Sequence, residues 1–223
     1  MGMLQHLNSL ETKHPVVVIG GRGHAKVVVF SLQAAGRTVQ AVLDDDLSLT
    51  GTNVLGAPIA GPIACIREFR HAEAVIAIGD NRKRRQIAER LDCEWARVVH
   101  PSATVAPDVA IGPGTVVFAG AVIQPGACIG AHCIINTLAS VDHDCRVSSF
   151  CHIAPGAHIC GEVRIGMGAF LGVGASVVPQ IQIGEWATLG AGAVAIRDID
   201  PWSVQAGVPA QPLRARRAAE DVA

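Results

Sequence analysis

An aliphatic residue returns at every sixth position of the chain from Val99 to Leu189. The sixteen positions are Val99, Val105, Ile111, Val117, Ile123, Ile129, Ile135, Val141, Val147, Ile153, Ile159, Ile165, Leu171, Val177, Ile183 and Leu189. This period matches neither the helical period of about 3.6 residues nor the heptad spacing of about 3.5, and glycine and proline interrupt the windows that a helix would need. An antiparallel sandwich would show turn residues at variable spacings of about 8 to 12 residues. The pattern therefore predicts a parallel β-helix in the second half of the chain.

The fifth position of each six-residue repeat is small. Twelve of the sixteen repeats carry Ala or Cys there, including Cys133, Cys145 and Cys151. A branched side chain at the first position and a small one at the fifth suit a coil with a filled axis and tight corners. The chain has no tyrosine and only 4% aromatic residues, which agrees with an interior too narrow for aromatic rings.

Glycine follows the aliphatic residue in six repeats, at Gly112, Gly130, Gly166, Gly172, Gly184 and Gly190. Glycine adopts backbone angles that other residues resist. We therefore expect these glycines to lie at bends of the coil that need such angles.

Residues 15 to 98 show a different pattern, in which short apolar runs alternate with helical periodicity. The pattern predicts an apolar-periodic stretch over 25–35, a helix over 82–91, and strands at Pro15–Ile19, Val39–Leu43 and Ala74–Ile78. Alternating strands and helices indicate a small parallel α/β sheet of the Rossmann-like type. The sequence thus predicts an α/β domain (15–98) and a β-helix domain (99–200), with a polar lead-in (1–14) and a C-terminal extension (201–223).

Each predicted strand of this sheet ends in a loop of unusual residues, namely Gly20–His24, Asp44–Asp46 and Gly79–Asn81. Ligands of parallel sheets bind at the carboxyl ends of the strands, so we expect the three loops to lie side by side. The glycine-rich turn is suited to bind phosphate through backbone N–H groups at a helix start. Because Lys26 stands where a dinucleotide fingerprint has its third glycine, a tight turn without a ligand remains an alternative.

Composition narrows the classes of function. The net charge is −1, and the 17% of charged residues form no basic stripe, which argues against a nucleic-acid-binding protein. No apolar run approaches the length of a membrane span, and the start of the sequence lacks a signal-peptide pattern. The seven cysteines are odd in number and include no C-x-x-C pair, which favours free thiols in a reducing compartment. We therefore expect a cytoplasmic protein that binds neither nucleic acid nor membrane.

Polar residues interrupt the small and apolar outer positions of the β-helix over 136–152. The repeat turns Val141 and Cys145 inward, so His143 and Asp144 are expected to project outward or to line a corner. A histidine made more basic by an adjacent carboxylate is suited to act as a general base. A buried Cys145 behaves as a small apolar residue, which argues against a nucleophilic cysteine. Polar side chains that are simply solvated are the alternative.

The six-residue repeat resembles that of the hexapeptide-repeat acyltransferases, the left-handed β-helix family, over about residues 99 to 210. With the Gly-Gly-x-Gly-His, Leu-Asp-Asp and Ile-Gly-Asp-Asn loops included, nearly the whole chain is similar to the sugar-nucleotide N-acetyltransferases of bacterial glycan synthesis. The sialic acid O-acetyltransferases share this layout. The resemblance implies a left-handed β-helix of about five coils, acetyl-CoA as co-substrate, no metal, and a homotrimer with active sites between subunits.

The same resemblance implies roles for individual residues. His143 would be the general base, and Asp144 would raise its basicity. The residues implied to contact acetyl-CoA are His152, Val173 and Ala191. The residues implied to hold the nucleotide sugar are Arg22, Gly23 and His24 at the phosphates or base, Asp44, Asp45 and Gly79 at the ribose or base, and Asn136. Arg22 departs from the small residue that is often found in this turn.

These observations predict an acetyl-CoA-dependent N-acetyltransferase that acts by direct transfer on the amino group of a nucleotide-linked 4-amino-4,6-dideoxy sugar. The identity of the nucleotide, UDP, GDP or dTDP, stays open. One alternative is O-acetylation of sialic acid or a related sugar, and another is a non-catalytic nucleotide-binding scaffold. A third is a zinc enzyme on the same β-helix, with ligands among His132, His143, His152 and His158.

Overall fold

The computed structural model describes residues 14–215. The predicted lead-in lies outside the described residues except for His14, and so do residues 216–223 of the predicted extension. The N-terminal part contains two α-helices and five strands: β1 (Val16–Ile19), α1 (Gly23–Ala34), β2 (Val39–Leu43), β3 (Asn53–Val54), β4 (Ala57–Gly61), β5 (Glu73–Ile76) and α2 (Asn81–Arg90). Short 3-10 helices follow β2 and β4, at Leu47–Leu49 and Ile63–Glu68.

The five strands form one sheet in the order β3-β4-β2-β1-β5, in which only β3 runs antiparallel to its neighbour. All of β1 is buried, because residues of α1 pack with one side of the sheet and residues of α2 pack with the other. The three predicted strands are confirmed to within two residues at each end. β3 and β4 are missing from the sequence prediction, since Pro58 within β4 weakens the pattern of a strand.

Seventeen two-residue strands, numbered β6 to β22 in chain order, form three parallel sheets that are the faces of a left-handed β-helix. Face I contains Val98–Val99, Val116–Val117, Ile134–Ile135, His152–Ile153, Phe170–Leu171 and Thr188–Leu189. Face II contains Thr104–Val105, Val122–Ile123, Ser140–Val141, His158–Ile159, Ser176–Val177 and Val194–Ala195. Face III contains Ala110–Ile111, Cys128–Ile129, Arg146–Val147, Arg164–Ile165 and Gln182–Ile183. β23 (Ser203–Ala206) continues face I, and β24 (Gln211–Ala215) pairs with β23 in antiparallel fashion.

The interior of the β-helix follows from the six-residue repeat. Each strand pairs with the strand eighteen residues further on, as His152–Ile153 does with Phe170–Leu171. The first-position residues therefore stack along the axis, where Ile153 and Leu171 are fully buried. Cys145 is fully buried as well, which confirms the inward orientation predicted for the fifth position.

The glycines that follow the aliphatic residue, at the second position of the repeat, are required for a different reason from the one predicted. Their φ angles lie outside the left-handed region, which is occupied instead at the fourth position of the repeats, for example by Asp144 with φ 59°. A Cβ atom on Gly112 would lie 2.5 Å from the backbone nitrogen of Ala131 in the next coil. These glycines are thus needed because successive coils approach closely at the corners, not because of their backbone angles.

The α/β part is packed on face I of the β-helix. α1 and the sheet share a hydrophobic core with Val116, Phe118 and Ile134 of this face. Val98–Val99, at the predicted limit between the two domains, pairs with Val116–Val117 of the β-helix. The predicted domain limits stay a prediction. Within residues 14–215, neither α-helix has the length and apolar character needed to cross a membrane.

Candidate active site

His143 and Asp144 lie at the corner between faces II and III, with most of each side chain exposed. Nδ1 of His143 is 2.9 Å from Oδ2 of Asp144. Since a carboxylate only accepts hydrogen bonds, Nδ1 carries the hydrogen and the lone pair of the neutral ring is on Nε2. The hydrogen bond to Asp144 raises the pKa of His143, with further contributions from the charges of Asp142, Asp144 and Glu162. The corner therefore presents a strengthened base on an exposed side chain, and its Nε2 has no hydrogen-bond partner among the described residues.

Gly161 lies directly beneath this imidazole, one coil further along. A Cβ atom on Gly161 would lie 2.4 Å from Nε2 of His143, and its three nearest atoms would all belong to that ring. Among the sixteen third-position residues from Pro101 to Ala191, Gly161 is the only glycine. Sequence reasoning missed it, although a glycine eighteen residues after the predicted base was the available signal.

A second group of polar residues surrounds His152 on face I. Nε2 of His152 is 3.0 Å from Nδ2 of Asn136, and its Nδ1 is 3.3 Å from the backbone oxygen of Gly79. The ring packs edge-on against Phe170 and lies 6.4 Å from the ring of His24. Burial lowers the pKa of His152 to about 3, and the charges of Arg84 and His24 add to the effect. The structure thus joins Asn136 and His152 of the β-helix to residues of the predicted nucleotide loops.

The three predicted loops do meet at the carboxyl edge of the sheet. Oδ2 of Asp44 accepts a hydrogen bond of 2.7 Å from the N–H of Gly21, and a Cβ atom on Gly20 would contact the side chain of Ile78. Oδ1 of Asp45 accepts a hydrogen bond of 2.9 Å from the N–H of Ile63. Both carboxylates therefore brace loops of the sheet, and contacts of Asp44 and Asp45 with a nucleotide stay a prediction.

Arg22, Gly23 and His24 occupy the turn into α1. The exposed guanidinium of Arg22 forms a 2.7 Å ion pair with Asp46, while Gly23 has open space where a side chain would be. Burial lowers the pKa of His24 to about 4, with a smaller effect from Arg84. Its ring packs edge-on against Phe118, and its buried Nε2 makes no hydrogen bond within residues 14–215. A neutral ring with an unused nitrogen at this edge is suited to a polar ligand.

A cleft of about 510 Å³ opens between the start of α2 and face I. Gly79, Asn81 and Arg82 line one side, and Phe170 and Trp186 line the other. The cleft leads from the Gly79 loop along the β-helix and offers space beside the predicted nucleotide loops.

Val173 and Ala191 lie one coil apart at the corner between faces I and II. Both are exposed, and Gly172 allows the two coils to approach closely there. This corner also holds Asn136, whereas His143 lies beyond face II at the next corner. One chain therefore brings together His24, Gly79, Asn136 and His152, and it leaves His143 with Asp144 at a separate corner.

Arg84 of α2 is a buried residue that sequence reasoning missed. It lies on the apolar stripe of α2 that continues with Ile87, Ala88 and Leu91, where an aliphatic residue would be expected. A charged residue in that stripe was the available signal. Its guanidinium donates hydrogen bonds to residues of both domains, and none of the acceptors within residues 14–215 is a carboxylate.

The histidines of the zinc alternative are dispersed. His132 is buried between Trp95 and Phe150, His143 lies at its corner, and His158 is exposed on face II beside Ser140. Within the part of the chain that the structure describes, no group of three or more His, Cys, Asp or Glu side chains is placed to hold a metal ion. The arrangement gives no support to a zinc site built from these residues.

Acid should destabilise the fold through three buried imidazoles. An unfolded histidine has a pKa of 6.5, whereas burial lowers the pKa to about 4 for His24 and His132 and to about 3 for His152. Between the folded and unfolded pKa values the unfolded chain binds more protons than the folded chain. The stability that comes from burying the neutral imidazoles is therefore complete above about pH 6.5 and is lost as the pH falls towards about 4.

We expect the thermal unfolding midpoint to fall between about pH 7.5 and about pH 5, and to fall less in a His132→Phe variant. The variant keeps the stacking on Phe150 and removes an Nδ1 atom that has no hydrogen-bond partner among the described residues. Scanning calorimetry of both proteins at the two pH values checks this expectation. Equal falls in the two proteins would contradict it.

Comparison with known proteins finds the same two-part architecture. Residues 15–91 match the PglD N-terminal domain family. Over 111 residues the chain is 42% identical to UDP-N-acetylbacillosamine N-acetyltransferase of Bacillus subtilis (strain 168), a match that covers 46% of this chain and only 50% of that protein.

Solved structures match over almost the full chain. PerB from Caulobacter crescentus, in complex with CoA and GDP-perosamine, is 43% identical with a TM-score of 0.84, over 89% of this chain and 96% of that one. The acetyltransferase domain of PglB from Neisseria gonorrhoeae FA1090, in complex with acetyl coenzyme A, is 40% identical with a TM-score of 0.85, over 90% of this chain and 99% of that one.

Proposed function

Because this chain belongs to the hexapeptide-repeat family of sugar acyltransferases, in which a PglD-type domain precedes a left-handed β-helix, we propose that it transfers an acetyl group from acetyl-CoA to the amino group of a nucleotide-linked 4-amino-4,6-dideoxy sugar. The observation that carries the proposal is the exposed His143–Asp144 pair at a corner of the β-helix. Asp144 raises the pKa of His143 and engages its Nδ1, which leaves Nε2 of His143 as the basic nitrogen. The relatives that bind CoA, acetyl-CoA and GDP-perosamine support the two substrates.

In the proposed reaction, the neutral amine of the sugar attacks the thioester carbon while Nε2 of His143 takes the proton from the nitrogen. The C–N bond forms as the C–S bond breaks, and the imidazolium then returns the proton to the sulfur of CoA. Asp144 stabilises the imidazolium through the hydrogen bond to Nδ1. The proposed transfer is direct, and Cys145 beside the base is not a nucleophile, because its side chain is buried in the core and burial raises the pKa of its thiol to about 11.

The nucleotide sugar would occupy the edge where His24 and Gly79 meet Asn136. His152, which the resemblance assigns to acetyl-CoA, would lie where the two substrates meet. Arg22 and Gly23 complete the turn that faces the phosphates, and Asp44 and Asp45 hold the neighbouring loop. The thioester arm would run along the corner of Val173 and Ala191, where small side chains let it approach the backbone. The unused Nε2 of His24 supports a polar ligand at this edge.

A complete site would require more than one subunit. The candidate acetyl-CoA residues His152, Val173 and Ala191 lie on one side of face II, and His143 lies on the other. Small residues such as Ser140 and Ser176 on face II are suited to close packing against a second copy. We therefore propose a homotrimer in which His143 of one subunit serves the donor corner of its neighbour.

We place the reaction in the cytoplasm. All seven cysteines have free thiols, including the partly accessible Cys65, Cys93 and Cys160. Free thiols are expected in a reducing compartment, which supports this placement.

The test is substrate-dependent release of CoA thiol, measured with a thiol reagent. UDP-, GDP- and dTDP-linked 4-amino-4,6-dideoxy sugars are assayed with acetyl-CoA, and the matched 4-hydroxy nucleotide sugars serve as controls. We expect release with at least one amino sugar, together with an acetylated product in mass spectrometry. Release only with hydroxyl acceptors, such as sialic acid, would overturn the proposal in favour of O-acetylation.

A further inference from the structure

Arg84 connects the two domains through a fork of hydrogen bonds. Nη1 donates to the backbone oxygens of Ile78 and Gly79, at 3.0 and 3.3 Å, in the loop that follows β5. On the other side, Nε donates to the backbone oxygen of His132 at 2.8 Å, and Nη2 donates to that of Phe150 at 3.0 Å. One planar group thus binds the Gly79 loop and two successive coils at the same time.

The cost of placing this charge in the interior indicates that its geometry matters. The side chain of Arg84 is almost completely buried, and no carboxylate within residues 14–215 forms an ion pair with it. Burial lowers the pKa of Arg84 to about 10, and the charge of Asp80 offsets the cost of burial only in part. An aliphatic residue would complete the apolar stripe of α2 without that cost. It would also remove the hydrogen bonds by which α2 joins the Gly79 loop to the β-helix, and it would leave the backbone oxygens of His132 and Phe150, which accept no backbone hydrogen bond among the described residues, without a donor.

The loop that Arg84 fixes is the one that meets the polar group on face I. The backbone oxygen of Gly79 accepts from Arg84 and also lies 3.3 Å from Nδ1 of His152. Asn81, the first residue of α2, accepts a hydrogen bond from Nη2 of Arg84 and donates to the backbone oxygens of Gly168 and Ala169. The position of the Gly79 loop relative to His152 is therefore set by the guanidinium fork.

We infer that Arg84 is a positioning residue for the nucleotide sugar, which holds the Gly79 loop in register with His152 and Asn136 on face I. The inference rests on the proposed function for the identity of the ligand. It predicts an effect that falls mainly on the nucleotide sugar, because Val173 and Ala191 form no hydrogen bond with Arg84 among the described residues, and His152 is linked to Arg84 only through the backbone oxygen of Gly79. A residue that served only to stabilise the fold would lower the unfolding midpoint and leave both substrate affinities unchanged.

The test compares Arg84→Lys and Arg84→Met with Lys83→Met, which removes an exposed cation from the neighbouring position of α2. A lysine keeps the charge but a single ammonium cannot replace a planar fork that spans two domains. At temperatures well below each unfolding midpoint, we expect both Arg84 variants to raise the KM of the nucleotide sugar about ten-fold or more and to raise the KM of acetyl-CoA less. The Lys83→Met variant should keep the wild-type KM for both substrates. If Arg84→Met does not fold, Arg84→Lys alone decides.

Calorimetric titration of each protein with the nucleotide sugar separates this inference from the proposed function. If the wild type binds the sugar without transferring acetyl, the proposed function fails, and a weaker Kd in the Arg84 variants still supports the inference. If the wild type is active and both Arg84 variants keep its KM and Kd for the sugar, or if a nucleotide sugar does not bind the wild type at all, the inference is overturned.

Discussion

Replacing His143 with asparagine should lower kcat by about 10²–10⁴-fold, which is the usual contribution of a general base. The loss follows because Nε2 is the only free ring nitrogen at this corner, while Nδ1 is engaged by Asp144. The ring is exposed and outside the core, so the fold should be unaffected. Because the base acts in the transition state, the KM values of both substrates should change little. Steady-state kinetics with purified protein measures both parameters.

The control for this experiment is His71→Asn, which changes an exposed histidine of the α/β part that lies far from both corners. It should retain wild-type kcat. A His143→Asn protein that keeps more than about a tenth of wild-type kcat would show that the imidazole is not the base.

The role of Asp144 appears in the pH dependence of the same assay. The base works only when neutral, so activity falls as the pH drops below the pKa of His143, which Asp144 raises. In Asp144→Asn the acidic limb of kcat/KM should therefore move to lower pH, and the maximum rate should fall because the base is weaker. An unmoved limb would mean that the titrating group is not His143.

The repeat predicted most of the fold because a β-helix is a local pattern repeated without interruption. Each coil buries its own first-position residue and stacks it on the next, so one rule places Ile153 and Leu171 in the interior. The same rule turned His143 outward and Cys145 inward, as the structure has them. The reason given for the second-position glycines was wrong, since contacts between coils depend on residues eighteen positions apart and not on local backbone angles.

The sequence predicted the candidate site less completely, because its parts lie on different elements. Loops at strand ends could be grouped by the general rule for parallel sheets, and Gly20, Gly21 and Asp44 do meet. The contact of Gly79 with His152 depends on how the sheet docks on face I, and no local pattern contains that information. The local pattern shows Arg84 only as a charge in the apolar stripe of α2, because its acceptors on the β-helix are backbone oxygens 48 to 67 positions away.

A single methyl group at position 161 should impair the reaction nearly as strongly as loss of the base. In Gly161→Ala the new Cβ atom would lie 2.4 Å from Nε2 of His143, so the ring must move by about 1 Å or more. Displacement of a reacting group on this scale costs on the order of 100-fold in rate. The backbone at Gly161 is outside the left-handed region and the contacted ring is exposed, so the unfolding midpoint should hardly change.

The double variant Gly161→Ala/His143→Asn shows whether the methyl group acts through the ring. If it does, the double variant should be no slower than His143→Asn alone, since the displaced base is already absent. In that case glycine is required at position 161 because a side chain there would occupy the space of the imidazole. The energetic coupling between positions 161 and 143 measures this requirement. Multiplied losses in the double variant, or wild-type kcat in Gly161→Ala, would contradict a base held over this glycine.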